Sequence, residues 1–155
     1  MTTVEMANRG DVESLVELEA LLFAEDAGMH DPHADVTWPL REGTADFQRL
    51  LLDDRSVVLV ARRDGEVVGH VVGYTASSSP TRQPVILGVL RSMYVRRDAR
   101  RAGVGHRLTE AFTDWARDQG CVELCVDSFF ENAAASRLYG RSGFAPRSVA
   151  HVLRL

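Results

Sequence analysis

The chain has 155 residues, 45% of them hydrophobic and 26% charged, with a net charge of −4. This predicts a single globular domain over residues 1–155, long enough to bury a full core. It excludes a membrane span, because no apolar run approaches roughly 18 residues, and it argues against nucleic acid, because the domain is acidic and its basic patch is short and lacks interleaved aromatics.

In chain order, Thr2–Met6 alternates weakly and predicts a first strand. Arg9-Gly10-Asp11 is a turn, with Asp11 placed to cap a helix over 11–26 in which Leu15, Leu18, Leu22 and Phe23 recur at helical spacing. Residues 27–42 read as a polar connection containing Pro32, Trp38 and Pro39. Thr44 caps a second helix with Phe47, Leu50 and Leu51 on its apolar face. Ser56–Arg62 is a β-branched strand, Asp64-Gly65 a hairpin turn, and Glu66–Ala76 the returning strand, broken by Gly69 and Gly73. Ser77–Pro84 is a loop and Val85–Val95 a third long strand. A helix over 103–119 turns Val104, Leu108, Ala111, Phe112 and Trp115 inward, and Gly120 ends it. Cys121–Asp127 is a strand, Asn132–Tyr139 a short helix, Gly143 to Pro146 a turn, and Val149–Leu155 a closing strand. The strands before and after the long helix form a right-handed β-α-β unit with parallel strands, whereas the earlier hairpin is antiparallel. The fold class is therefore α/β, a single domain on a mixed sheet.

Charge is distributed unevenly. Residues 10–40 carry eight acids (Asp11, Glu13, Glu17, Glu19, Glu25, Asp26, Asp31, Asp35) and no arginine. Residues 91–107 carry six arginines and one acid, Asp98. An acidic pole and a basic pole suit a cationic substrate and a polyanionic cofactor. The acidic half equally suits a solvated helix face.

Cys121 and Cys125 lie i, i+4 on a strand, too far apart to bond to each other, and read as reduced packing residues. His30 and His33 among Asp26, Asp31 and Asp35 read as a polar turn around Pro32 rather than a metal site, so no metal is expected. His70 sits on a strand, where a hydrogen-bonded structural role is the default. The N-terminus shows no charged-then-apolar leader, and a cytoplasmic location is expected.

The chemistry-bearing stretch runs from Val95 to Leu108. A strand ends at Val95; Arg96, Arg97, Arg100 and Arg101 follow; then come Gly103 and Gly105 and a helix start. Backbone N–H groups and the helix dipole converge there, glycines permit close approach, and arginines add charge-assisted bonds. This is a pyrophosphate-binding arrangement. It is not Gly-x-Gly-x-x-Gly, since Leu108 stands at the third position, nor a Walker loop, since the chain has no lysine.

The string Arg100-x-x-Gly103-x-Gly105 resembles the acetyl-CoA pyrophosphate signature of the GNAT N-acetyltransferases. Downstream, Asn132-x-x-Ala135-x-x-Leu138-Tyr139-x-x-x-Gly143-Phe144 resembles the second signature of that family. The two motifs stand in the family's order, each after a strand. The resemblance is strong over 90–145 and weak before residue 55.

The resemblance implies the family's fold, with helices on both faces of the sheet and splayed strands at an acetyl-CoA site. It implies that Met93, Tyr94 and Val95 offer main-chain groups to the cofactor arm and the oxyanion. Arg100, Arg101, Ala102, Gly103, Val104, Gly105 and His106 are then expected to hold the pyrophosphate. Asn132 and Ala135 contact the cofactor arm, and Tyr139 protonates the departing thiolate as general acid. The reaction implied is direct attack of a primary amine, on a small molecule or a peptide, upon acetyl-CoA. A non-catalytic acyl-CoA-binding module is the alternative. A homodimer is expected by analogy with the family.

The base is less plain. An alkylammonium with a pKa near 10 must lose a proton before it attacks. Some polyamine-acetylating relatives carry a glutamate on the strand before the phosphate loop, but Leu90 to Val95 contains no acid. Asp127 is the leading candidate, with Glu131, or Glu25 or Asp26 acting through water, as others. The resemblance implies that residues 20–45 and 75–84 set acceptor selectivity; their acids, with Trp38 and Tyr74, favour a cation, whereas Arg91 favours a carboxylate.

Overall fold

Ser56–Arg63 (β2) explains the architecture. Val57, Leu59 and Ala61 face one side of this strand, Val58 and Val60 the other, and all five are buried. A strand buried on both faces lies in the middle layer of three. In the computed structural model, which describes residues 1–155, that layer is a five-stranded sheet of order β1-β2-β3-β4-β5, where β1 is Thr2–Met6, β3 Glu66–Ser77, β4 Ile86–Val95 and β5 Glu123–Val126. Neighbours are antiparallel except β4 and β5, which are parallel because a helical crossover joins them. The sheet is mixed, as expected.

One face is covered by α1 (Val12–Glu25) and α3 (Trp38–Leu52). Leu15, Leu18, Phe47 and Leu50 pack there on Val58, Val60, Val72 and Tyr94. The other face is covered by α4 (Val104–Asp118), whose Val104, Leu108 and Phe112 pack on Val57, Leu59, Val68, Val71 and Leu90. Leu108 and Phe112 are wholly buried; each such side chain contributes about 1.5–3 kcal/mol through apolar area removed from water. The one-turn α2 (Ala27–His30) and the short α5 (Ala133–Arg141) complete the chain.

Three expectations need correction. The second helix starts at Trp38, not Thr44: Pro39 stands in its first turn, where a missing N–H costs nothing. Asp35 steadies that start by accepting from Thr37 N–H and Oγ1 and from Arg41. Asp11 does not cap α1 with its side chain. Its carboxylate instead accepts from Asn8 N–H and from Arg62 at 2.7 and 2.8 Å, pinning the helix start to β2. Finally, Val149–Leu155 forms no strand. Val149, Val152, Leu153 and Leu155 are exposed, so in one copy the segment finds neither a strand to pair with nor a surface to bury against.

Candidate functional site

Strand β4 outruns its neighbour. It pairs with β5 only over Leu87–Leu90 against Glu123–Val126, then continues to Val95 with that edge open. Against β3 its register slips from Val72↔Ser92 to Gly73↔Leu90, which makes Arg91 a bulge residue. Arg96 N–H donates to Val68 O at 2.8 Å. Antiparallel bonding alternates, so Tyr94 and Ser92 also bond toward β3, and the peptide groups of Met93 and Val95 turn to the open side. Arg100 Nε already donates to Val95 O there, at 2.8 Å.

After Val95 the chain makes a short 3₁₀ turn over Arg97–Ala99 and reaches α4 through two left-handed residues, Arg101 (φ 62) and Gly103 (φ 76). Gly103 has the cap position, and Arg107 N–H makes the first helical bond, to Gly103 O at 3.0 Å. The amides from Gly103 to His106 therefore lack helical partners and point out of the helix N-terminus. Arg101, Ala102 and Gly103 are exposed around them. An anion is the complementary ligand.

The basic loop and the acidic helix are not separate poles. Glu25, at the end of α1, accepts from Arg97 Nε and Arg100 Nη2, each at 2.8 Å, and from Tyr94 Oη at 3.0 Å. Arg100 also lies over the Tyr94 ring, 5.2 Å from its centre. Burial pushes the Glu25 carboxyl up, but the hydrogen bonds from Arg100 and Tyr94 and the charges of Arg100 and Arg97 outweigh it and hold it below the usual range. Burial first, then Glu25, pushes the Tyr94 phenol up. Tyr94 thus points its side chain into the α1–α3 core and its peptide groups toward β3, so the main-chain donor expected at Tyr94 is not on the open edge, which belongs to Met93 and Val95.

The second motif lies alongside. Asn132 is the cap of α5, accepting from Ala135 N–H at 3.1 Å, while its Nδ2 donates to Asp26 at 2.9 Å. Both ends of its side chain are thereby engaged within the protein. His106 faces away from the anion cradle, with Nδ1 3.2 Å from Ser142 Oγ and Nε2 3.4 Å from Glu110. Tyr139 stacks edge-on against Phe144 and packs on the α4-side core. Burial first, and the Asp26 carboxylate second, push its phenol up to about 12.

On the α1–α3 side of the open edge lies a cleft of about 480 Å³, within the size range of small-molecule sites. Its walls carry Glu19 and Phe23 of α1, Asp26 at its C-terminal cap, Trp38 of α3, Arg91 and Ser92 of β4, and Asp127, Ser128 and Phe129 beyond β5. Phe23 and Trp38 stack with their planes 13° apart. Asp127, the candidate base, is exposed at the rim. Arg91 is paired with Asp46 at 2.7 Å. Glu131 lies outside the cleft, 3.6 Å from His30.

Sequence reasoning missed Glu19. It is 2% exposed, and its Oε2 meets His70 Nε2 at 2.8 Å and Ser92 Oγ at 3.3 Å. The available signal was spacing: Glu19 follows Leu15 by four residues and precedes Leu22 by three, on the inward stripe of α1.

Comparison with known proteins agrees with this geometry. A sequence model described as the acetyltransferase (GNAT) family matches residues 15–144. The aminoglycoside N(6')-acetyltransferase type 1 of Stenotrophomonas maltophilia is 32% identical over 92% of this chain and 85% of its own length. The probable N-acetyltransferase camello of Xenopus tropicalis is 30% identical over 92% of this chain, which spans 64% of that protein. Among solved structures, a mutant of the BH1408 protein from Bacillus halodurans superposes with a TM-score of 0.90, at 18% identity and 99% coverage of both chains. The aminoglycoside N-acetyltransferase AAC(6')-Iy in complex with CoA superposes at 0.80, with 20% identity over 100% of this chain and 95% of that one. At those identities the structures show a shared fold. With a family match over most of its length, the chain belongs to the acetyltransferase (GNAT) family.

Proposed function

We propose that this chain transfers an acetyl group from acetyl-CoA to a primary amine of a small molecule or a peptide. One observation carries the reading: the open β4 edge at Met93 and Val95 runs directly into the unpaired amides of α4, with an acid-lined cleft on the opposite side of that edge. An extended pantetheine arm fits the edge as an added strand would. Its pyrophosphate fits the N-terminus of α4, where Gly103, Val104, Gly105 and His106 present their amides and Arg101 and Ala102 border them. Support also comes from the relatives of Xenopus and Stenotrophomonas, both named N-acetyltransferases.

Direct attack forms a tetrahedral oxyanion, for which an outward N–H at Met93 or Val95 is the proposed donor. Tyr139 is the proposed general acid to the CoA thiolate; its raised pKa keeps the proton on the phenol until sulfur departs. Asn132 positions rather than reacts, since it caps α5 and so sets where Tyr139 stands. Asp127, exposed at the cleft mouth, draws a cationic acceptor inward. Arg91 has its charge engaged by Asp46, which favours an amine without a neighbouring carboxylate.

The homodimer belongs to this proposal. The segment 145–155 extends without a sheet partner, and Val149, Val152, Leu153 and Leu155 remain to be covered. A second copy would cover them. Sedimentation of the full chain and of a chain ending at residue 146 tests this; a monomer in both rejects it.

The activity is tested by acetyl-CoA-dependent thiol release over amino acids, polyamines, aminoglycosides and short peptides. Cys121 and Cys125 are free thiols, so a protein-only blank is required. Turnover with one amine class is the expected result. Acetyl-CoA binding without turnover toward any class would favour a binding module.

A further inference from the structure

The reaction needs a group that takes a proton from the acceptor ammonium, and the structure holds a carboxylate built for that task. We propose that Glu19 is the general base and binding point for a primary alkylammonium acceptor, and that His70 is the residue positioning it. The proposal rests on the acetyltransferase reading above.

A carboxylate removed from water survives only when paired and hydrogen-bonded. Here the support is one-sided. Oε2 receives His70 Nε2 and Ser92 Oγ, whereas Oε1 has no hydrogen-bond partner in the protein. Glu19 lines the cleft and His70 does not. Oε1 is therefore the oxygen offered to a ligand. Ser92 directly precedes Met93, so the carboxylate bonded to Ser92 stands beside the point where the open edge would hold the thioester.

His70 is fully buried on β3, edge-on to Phe47, with Nδ1 unpartnered. At 2.8 Å the two facing atoms of the pair need a proton between them, so His70 presents Nε2–H to Glu19. This fixes the carboxylate plane and leaves Oε1 free. Burial pushes the Glu19 carboxyl up, but the hydrogen bond and charge of His70, the charge of Arg91 and the Ser92 hydroxyl bring it below the usual range. Glu19 is ionised at neutral pH and ready to accept. The cleft suits the partner: the stacked rings of Phe23 and Trp38 give it an aromatic wall, and Asp26 and Asp127 add negative charge.

The protons balance. An alkylammonium nitrogen loses two protons on becoming an amide. The first moves from nitrogen to Glu19 Oε1, freeing the lone pair that forms the C–N bond at the thioester carbonyl. The C–S bond then breaks with its electron pair on sulfur, and Tyr139 protonates the thiolate. The second nitrogen proton restores Tyr139, and the proton on Glu19 leaves to solvent.

The test is Glu19→Gln assayed against amines of graded basicity at one pH. Gln preserves shape and still accepts from His70. With an alkylamine of pKa near 10 the variant should lose about 10²–10⁴ in kcat/KM, the usual share of a general base. With a fluorinated amine of pKa near 7, already half free base, the loss should shrink to less than about tenfold. Acetyl-CoA affinity should not change. His70→Gln, whose amide can still donate to Oε2, should keep the wild-type dependence on amine pKa at reduced kcat. Equal losses for both amines, or none, would overturn the assignment of Glu19 alone. A wild-type protein inert toward every amine would instead overturn the acetyltransferase reading, and this one with it.

Discussion

The Glu25 carboxylate binds Arg100 at 2.8 Å, tying the last turn of the acidic helix to the basic loop 75 residues away. The same carboxylate also receives Arg97 and Tyr94, so one side chain fixes three groups at the approach to α4.

Removing that hub should be felt in a definite pH window. Hydrogen bonds and arginine charge hold the Glu25 carboxyl below 4.5 in the folded chain. A depressed folded pKa contributes stability that is present above the unfolded value and lost as pH falls through the folded one. Glu25→Gln should therefore cost about 1–2 kcal/mol at pH 7 and progressively less below pH ~4.5. Urea unfolding of both proteins between pH 7 and pH 3 checks this. A constant difference across that range would show that charge is not the cause.

Gly73 and Gly103 should fail for different reasons. A Cβ at Gly73 would lie 2.1 Å from the Phe112 ring, in the middle of the α4-side core. Gly73→Ala should destabilise by about 3 kcal/mol or more, and Phe112→Leu in the same chain should recover part of it. At Gly103 a Cβ meets nothing within 4 Å, and only the positive φ resists it. Gly103→Ala should cost about 1–2 kcal/mol. Thermal unfolding separates the two, and the reverse order would reject the packing account.

Tyr139→Phe keeps the ring against Phe144 and removes only the hydroxyl. As general acid, Tyr139 should account for about 10²-fold or more in kcat, with acetyl-CoA affinity spared. With its pKa raised to about 12, Tyr139 should produce no alkaline fall in kcat below pH ~10. The same raised value means that its contribution to stability is complete below pH ~10 and is lost as pH rises toward the folded value. A Phe variant with unchanged kcat would remove Tyr139 from the chemistry.

The pair formed by Asp11 and Arg62 gives a prediction independent of function. Asp11 is 5% exposed and accepts two bonds from Arg62. Asp11→Ala strands a guanidinium that also serves Glu5, and should destabilise by about 3 kcal/mol or more. A helix-capping role alone would cost about 1 kcal/mol. Denaturant midpoints distinguish the two.

The five strands and α4 were legible because their signals are local. β2 is a β-branched run, Asp64-Gly65 closes its hairpin, and α4 repeats Val104, Leu108 and Phe112 on one stripe. The anion cradle was legible for the same reason, since Gly103 and the arginines before it are neighbours in the chain. The start of α3 was also written locally, in Trp38-Pro39, but a proline in a polar stretch reads as a connection until the helix after it is known.

Other features depend on partners far along the chain. Asp11 looked like a cap because its partner Arg62 lies 51 residues away. The closing strand failed because alternation supplies a pattern and not a partner. Glu19 and His70, also 51 residues apart, each looked ordinary alone: an acid on an acidic helix and a histidine in a valine-rich strand. By itself the sequence determined the family, the order of the five strands and the glycine- and arginine-rich loop before α4, because periodicity and motif spacing are short-range properties of a chain. Only the tertiary structure decided which carboxylate lies buried against His70 at the cleft wall, and which is engaged by Arg97 and Arg100. Burial and charge pairing arise when helix and sheet meet, and no single segment carries them.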